Sequence, residues 1–168
     1  MQKILLAIDG VRPNRKAFSY AVQLCKRLGA ELIVLQVIDP GGEERPEGLI
    51  KKKARRARKF LESSLTAATF AEAGEHETAR DMMIEARKQI NDLLPETAKA
   101  GIQCRFTMKE GPPDREIFHY TRRHRDIILA VYDSTAGDSQ DEGKASRARN
   151  VAGFIRQHLA VPVVTVHA

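Results

Sequence analysis

The sequence contains no tryptophan, and aromatic residues make up only 5% of its 168 residues. A hydrophobic core built from this chain must therefore be filled mainly by aliphatic side chains. No apolar run reaches the roughly 18 residues that a transmembrane helix needs. The first residues also lack a charged leader followed by an apolar stretch and a cleavage site. We therefore expect a cytoplasmic protein with no membrane partner.

Motifs for metal binding and catalysis are also absent. The only two cysteines, Cys25 and Cys104, lie in apolar segments at a separation that fits no metal site, so we expect two buried thiols. The histidines form no pattern typical of zinc ligands. There is no P-loop, no nucleophile elbow, and no glycine fingerprint after the first strand. The sequence predicts no catalytic residue, and we expect a protein that is not an enzyme.

What the sequence does contain is an alternation of short apolar runs with helical segments. Nearly continuous apolar runs are typical of strands buried on both faces of a parallel sheet. The predicted strands are Ile4–Ile8, Glu31–Ile38, Gln103–Met108, Ile127–Val131 and Val161–Val166. This rhythm predicts α/β architecture: one domain over residues 1–168, with an open, doubly wound, five-stranded parallel sheet and helices on both faces.

The segments between these strands carry helix signals. Pro13 suits the first turn of the first helix, which Gly29 would end. Residues 46–101 are helical in composition, and we expect a break at Gly74 and an irregularity at Pro95. The remaining predicted segments are helices at about 47–73, 77–99, 113–123 and 145–159, and a polar loop at 132–144.

The densest charge feature is the basic run at residues 51–59, where seven of nine residues are Lys or Arg. It lies in residues 46–74, which we interpret as a helical insertion beside the sheet. The run would suit binding to nucleic-acid phosphates, with the protein acting as an accessory to nucleic acid. Only Phe60 supplies an aromatic ring nearby, however, so a stacking platform for bases is lacking. A solvated helix paired partly with nearby glutamates is the favoured alternative.

Three segments together carry a family resemblance. They are residues 3–10 followed by 30–37, residues 109–117 leading into 126–129, and residues 154–166. In order and spacing they resemble the universal stress protein family. The resemblance implies the strand order 3-2-1-4-5, a regulatory or binding role in the stress response without turnover, and a homodimer formed through the last strand, Val161–Val166.

The resemblance also implies a nucleotide site at the carboxyl ends of the strands, where open α/β sheets bind ligands. Asp9, between Ile8 and Gly10, would contact adenosine, and the backbone of Val37 would face the adenine edge. The alternative role for Asp9 is to cap the turn into the first helix. The family's glycines for phosphate binding fall here on Val131, Ser134, and Arg149 with Asn150. We therefore expect ATP or another adenine nucleotide to bind non-canonically, with Arg149 and Asn150 at the phosphate end.

Overall fold

The computed structural model describes residues 1–40, 66–133, 140 and 142–167, and side chains of the long middle helix from residue 79 onward. Five parallel strands form one sheet in the order β3-β2-β1-β4-β5. The strands are β1 (Lys3–Asp9), β2 (Glu31–Ile38), β3 (Cys104–Glu110), β4 (Ile127–Asp133) and β5 (Val163–Val166). The helices are α1 (Arg15–Leu28), α2 (Thr66–Asn91), α3 (Leu94–Lys99), α4 (Pro113–Arg123) and α5 (Glu142–His158). The predicted fold class and strand order are confirmed.

The core consists of two apolar layers, one on each face of the sheet. On one face Ile4, Leu6 and Ile8 of β1 pack with Phe18 of α1 and with residues of α2. On the other face, side chains of β1 pack with α4 and α5 in a separate cluster. Strand side chains alternate between faces, so a central strand with both faces covered is apolar at nearly all of its buried positions. This requirement explains the unbroken apolar run that predicted β1.

The first helix begins at a side-chain cap. The Oδ1 of Asn14 accepts a hydrogen bond from the backbone N–H of Lys16 at 2.8 Å, which satisfies one of the N–H groups left free at a helix start. The helix ends at Gly29, which adopts a left-handed conformation with φ 63°. The prediction that Pro13 lies in the first turn was wrong, because Pro13 precedes the cap residue. The side-chain oxygen of Asn14 can accept a backbone N–H of the helix, whereas proline has no side-chain acceptor.

The predicted break at Gly74 was also wrong, because α2 continues through it from Thr66 to Asn91. A glycine costs a helix only about 1 kcal/mol relative to alanine, whereas a proline in the interior costs about 3 kcal/mol. The predicted irregularity at Pro95 is confirmed: α2 ends before it, and Pro95 lies in the first turn of the separate helix α3. The basic run 51–59 and most of the predicted insertion lie outside the described residues.

Apart from those of β2, the strand boundaries differ from the prediction by one or two residues, and the differences at β4 and β5 have a clear structural cause. β4 continues through Tyr132 and Asp133, which had been assigned to a polar loop, because neighbouring strands pair with both residues. Both are buried, so their polar groups lie inside the fold. β5 begins at Val163 instead of Val161, after Pro162, which has no N–H to contribute to a ladder. Among the described helices, none combines the length and apolar character needed to cross a membrane.

The central position of β1 yields a stability prediction. Ile4 is fully buried, whereas Ile84 on α2 is 61% exposed. We expect Ile4→Ala to lower the free energy of unfolding by about 2–5 kcal/mol, because it removes buried methyl groups and leaves a cavity. The matched change Ile84→Ala should alter it by less than about 0.5 kcal/mol. Urea denaturation of both variants measures the difference, and equal losses would contradict the assigned core.

Candidate functional site

The polar crevice of the molecule lies where the chain leaves β1 and β4. These strands are neighbours in the sheet, but the helices that follow them cover opposite faces: α1 packs on one face and α5 on the other. The two connections diverge, which leaves an opening at the carboxyl ends of the strands. This is the topological switch point, where open α/β sheets bind their ligands.

Asp9, the last residue of β1, lies at the floor of this crevice. Its Oδ2 accepts a hydrogen bond from the hydroxyl of Tyr132 at 3.3 Å. Burial raises the pKa of Asp9, and the carboxylates of Asp39 and Asp133 add to this, while Arg147 and the Tyr132 hydrogen bond oppose it. Burial also raises the pKa of Tyr132, which therefore stays a protonated donor. The Asp9 carboxyl at the floor is thus partly desolvated, and the Tyr132 hydroxyl and the Arg147 guanidinium partly offset the effect of burial on its pKa.

An ion pair spans the crevice above this floor. The Nη2 of Arg147 on α5 lies 2.8 Å from the Oδ2 of Asp39, which follows β2. Because β1 lies between β2 and β4, a contact from α5 to the end of β2 passes across the end of β1. The side chains are 32% and 20% exposed, so the pair is only partly solvated. Arg147 thereby faces both Asp39 and the Asp9 carboxyl.

Hydrogen bonds to β2 and β4 fix the loop between β1 and α1. The Nε2 of Gln36 donates to the carbonyl oxygens of Gly10 at 2.8 Å and Val11 at 3.0 Å. The backbone N–H of Asn14 donates to the Oδ2 of Asp133 at 2.7 Å, which joins the loop to the end of β4 across the switch point. Asp9 is thus held at the start of a loop anchored to both neighbouring strands.

Gly10 makes the turn out of β1 possible. Its φ of 102° lies in a region that residues with a side chain rarely adopt. In this conformation its N–H donates to the carbonyl oxygen of Val37 at 2.9 Å. The Val37 carbonyl, which was expected to face an adenine edge, therefore already accepts one hydrogen bond and retains one lone pair.

Two buried polar atoms beside this loop have no hydrogen-bond partner in the described part of the chain. They are the Oε1 of Gln36, an acceptor, and the Nδ2 of Asn14, a donor. Leaving such an atom unpaired costs about 1–3 kcal/mol, so buried polar groups are normally satisfied by protein, water or ligand. One acceptor and one donor thus remain available for an additional polar molecule.

The remaining predicted site residues lie in different environments. Ile8 and Val131 are buried in the cluster that packs on α1, and Val37 in the cluster that packs on α5. Arg149 and Asn150 are exposed on α5. Within the residues that the structure describes, no hydrogen bond or ion pair joins either to the crevice.

Sequence reasoning missed four of the residues that build the crevice. Tyr132 and Asp133 were assigned to a loop, although they directly follow the apolar run of β4. Gln36 is the single polar residue within the run Leu32–Ile38, and that interruption is a signal for a functional or structural hydrogen bond. Asn14 follows a proline just before a helical pattern, which indicates a cap.

Other reactive groups do not suggest catalysis. Burial raises the pKa of Cys25 to about 12 and that of Cys104 to about 11, so both remain thiols at neutral pH. Across the described ranges, His, Cys, Asp and Glu side chains form no group that could hold a metal ion. Among the described residues, the crevice offers hydrogen-bond donors, hydrogen-bond acceptors and the guanidinium of Arg147.

Fold and crevice together define a doubly wound α/β protein with a polar crevice at its switch point. The sequence profile of the Universal stress protein family matches residues 1–167. The chain therefore belongs to the universal stress protein family. Among curated proteins, none matches this chain.

Solved structures show the same fold at low sequence identity. Universal stress protein UspA from Lactobacillus plantarum is 17% identical, with a TM-score of 0.71 over 98% of this chain and 97% of that one. A universal stress protein from Archaeoglobus fulgidus in complex with dAMP is 14% identical, with a TM-score of 0.56 over 98% and 97%. A family protein from Arabidopsis thaliana with AMP bound is 17% identical, with a TM-score of 0.54 over 99% and 92%.

The raised pKa of Asp9 predicts how stability depends on pH. A carboxyl with a raised folded-state pKa favours the protonated form, so its contribution to stability is lost as pH rises through that pKa. Asparagine has no such loss. We therefore expect the free energy of unfolding of Asp9→Asn, relative to the unsubstituted protein, to increase from about pH 4 to pH 7. Urea denaturation at several pH values measures this difference.

Asp126 provides a control of opposite sign. Its hydrogen bond from Lys3 lowers the pKa of the Asp126 carboxyl, so its contribution is present at neutral pH and is lost in acid. Asp126→Asn should therefore become less stable, relative to the unsubstituted protein, as pH rises. If Asp9→Asn follows the direction of Asp126→Asn, burial does not dominate at Asp9.

Proposed function

We propose that this protein is a regulatory binding protein of the stress response that holds an adenine nucleotide in the crevice beside Asp9, without catalytic turnover. The observation that carries the proposal is the set of polar groups converging on the end of β1. A phenol, a guanidinium and a carboxyl meet at the switch point, next to a buried acceptor and a buried donor that have no partner among the described residues.

The structural relatives support the choice of ligand class. Two proteins with this fold, those from Archaeoglobus fulgidus and Arabidopsis thaliana, hold dAMP and AMP. The two ligands share an adenine base, a sugar and one phosphate. The crevice offers complementary groups: the Asp9 carboxyl for sugar hydroxyls and the Arg147 guanidinium for phosphate.

The other residues expected from the family resemblance take more peripheral roles in this proposal. Ile8 and Val131 shape the strands beneath the ligand, and Gly10 supplies the turn that exposes Asp9. Arg149 and Asn150 are exposed on α5, on the same helix as Arg147. They would reach only the outer part of a phosphate group.

Titration of the full chain with AMP by isothermal calorimetry tests the proposal. We expect saturable binding, weakened about 10- to 100-fold by Asp9→Asn, because the amide replaces an acceptor of sugar hydroxyls with a donor. The exposed Asp92, in the turn between α2 and α3, supplies the control variant Asp92→Asn, which should bind as the unsubstituted protein does. An absence of saturable binding at millimolar AMP would refute the proposal.

We also propose that the protein forms a homodimer through β5. This strand pairs only with β4 in the described sheet, and its residues Val163–Val166 are half-buried at the sheet edge. An exposed apolar edge strand favours pairing with another chain. The proposed interface is Val161–Val166, of which Val163–Val166 form β5.

Sedimentation analysis tests this dimer. We expect a dimer for the unsubstituted chain and a shift towards monomer for Val164→Lys, because a lysine on an edge strand disfavours pairing between strands. Ile84→Lys introduces the same charge at an exposed position of α2 and should leave the dimer unchanged. A monomer at tens of micromolar for the unsubstituted chain would exclude the interface.

The alternative nucleic-acid role rests on residues 51–59, outside the described residues, and stays a prediction from the sequence.

A further inference from the structure

We infer that the protein has a second ligand site, a pocket at the amino ends of β4 and β5 that binds a small organic anion, that is, a carboxylate or phosphate group carried on an apolar body. The inference goes beyond the proposed function, because the crevice lies at the opposite, carboxyl ends of the strands. Helices α4 and α5 begin after the carboxyl ends of β3 and β4 and end where β4 and β5 begin. Their last turns therefore stand beside the pocket, and their first turns lie on the side of the crevice.

The pocket is formed by the last turns of α4 and α5 and by the short connections that lead from them into β4 and β5. Its volume is about 560 Å³, which falls in the range of small-molecule sites. Phe118, Ile127 and Leu159 contribute apolar lining, and every charged side chain that lines the pocket in the described part of the chain is basic. These lining residues come from 118–127 and 158–161, two stretches that the structure describes without a gap.

Two histidines that line the pocket are held by the same arrangement at the ends of neighbouring helices. The Nδ1 of His124 lies 2.8 Å from the carbonyl oxygen of Tyr120, and the two rings stack with their centroids 4.1 Å apart. His158 repeats this arrangement with Phe154, at 2.8 Å and 4.1 Å. Because a carbonyl oxygen only accepts, these contacts assign a proton to each Nδ1. The Nε2 of each ring is left for a ligand, and it donates to an anion when the imidazole is protonated.

Two exposed arginines, Arg122 and Arg125, add permanent positive charge to the lining. The Cζ of Arg122 lies 5.6 Å from the centroid of the Phe118 ring, so the guanidinium rests over an aromatic face. Among the described residues, neither guanidinium forms an ion pair. The nearest acidic residue in the sequence, Asp126, accepts a hydrogen bond from Lys3, which offsets its charge. Both guanidiniums therefore have donors available for an oxyanion.

These groups define the class of ligand. The planar fork of a guanidinium matches the oxygens of a carboxylate or phosphate, and the apolar lining favours a hydrophobic body attached to that group. The carboxyl-terminal end of a helix carries roughly half a negative charge, so the ends of α4 and α5 oppose an anion. The two arginines carry one full positive charge each and outweigh that effect. In addition, the imidazoles already occupy the carbonyl oxygens of Tyr120 and Phe154 in these last turns.

Amide NMR spectra of the full chain, titrated with phenyl phosphate in a buffer that contains EDTA, test the inference. We expect saturable shifts at residues 118–127 and 158–161. Benzoate carries a carboxylate on the same ring, and the tighter of these two ligands identifies the preferred oxyanion. Inorganic phosphate lacks the ring and benzyl alcohol lacks the charge, so each should bind about tenfold more weakly than phenyl phosphate.

Charge variants test the physical cause. The double variant Arg122→Gln/Arg125→Gln removes both guanidiniums of the pocket and should weaken the binding of phenyl phosphate about tenfold. The control variant Arg27→Gln/Arg87→Gln makes the same change of charge at exposed positions of α1 and α2, which cover the other face of the sheet. It should bind phenyl phosphate as the unsubstituted protein does. Circular dichroism confirms that both variants are folded.

One lining residue, Val161, also begins the proposed dimer interface. The described lining groups all come from one chain, so Val164→Lys, which favours the monomer, should keep its affinity for phenyl phosphate. Loss of binding in that variant would contradict a site contained in one chain.

The inference is overturned if phenyl phosphate gives no saturable shifts in the pocket at millimolar concentration, or if inorganic phosphate binds as tightly as phenyl phosphate. Equal weakening by the two double variants would assign binding to the net charge of the protein and would also overturn it. Shifts centred on Asp9 and the loop after it would place the anion in the crevice and remove the second site. None of these outcomes alters the AMP titration that decides the proposed function.

Discussion

The structure depends on the burial of β1 on both of its faces. A strand with a neighbour on each side and a helix layer on each face accommodates few polar side chains along its length. Ile4, Leu5, Leu6, Ala7 and Ile8 meet this requirement with almost no exposure. The first polar side chain after them, Asp9, therefore appears only where the strand ends. The constraint that builds the core also places a carboxyl group at the switch point.

At that position desolvation and pairing oppose each other. Burial favours the neutral form of the Asp9 carboxyl, and the adjacent carboxylates of Asp39 and Asp133 act in the same direction. Arg147 and the hydroxyl of Tyr132 lower the pKa of Asp9, but by less than burial and the neighbouring carboxylates raise it. Hydrogen bonds hold the surroundings of Asp9 in place, since Gln36 of β2 fixes the loop that follows Asp9. The polar groups around Asp9 are therefore held in place before any ligand arrives, which lowers the cost of the binding proposed above.

Much of the fold could be predicted from the sequence, because apolar runs and amphipathic segments record burial directly. The strand order required the family resemblance, since periodicity does not specify which strands are neighbours. The errors arose where tertiary contacts override local composition. Tyr132 and Asp133 look like the start of a polar loop, yet β1 and β5 pair with them and bury them. Gly74 looks like a helix break, but a single glycine is a small cost in a helix of 26 residues.

The candidate site was predictable only in part for a related reason. Asp9 is visible in the sequence as the residue that ends an apolar run. The partners of Asp9 are not visible in the sequence. Tyr132 and Arg147 come close to Asp9 only because of the sheet order and the length of the loop before α5. The side chains at the predicted phosphate end, Arg149 and Asn150, lie on the exposed side of that helix, whereas Arg147, two residues earlier, reaches the end of β2. Two positions along a helix turn the side chain by more than half a revolution.

The hydrogen bonds around the crevice join distant parts of the chain. The contacts of Asn14 with Asp133, of Tyr132 with Asp9, and of Arg147 with Asp39 span 119, 123 and 108 positions. A ribosome that has released only the first βαβ unit has therefore made Asp9 and Asn14, but not yet Tyr132, Asp133 or Arg147. During synthesis the carboxyl group stays hydrated, and its desolvation coincides with the arrival of β4 and α5. The crevice is thus among the last parts of the molecule to form, although its central residue is among the first to be made.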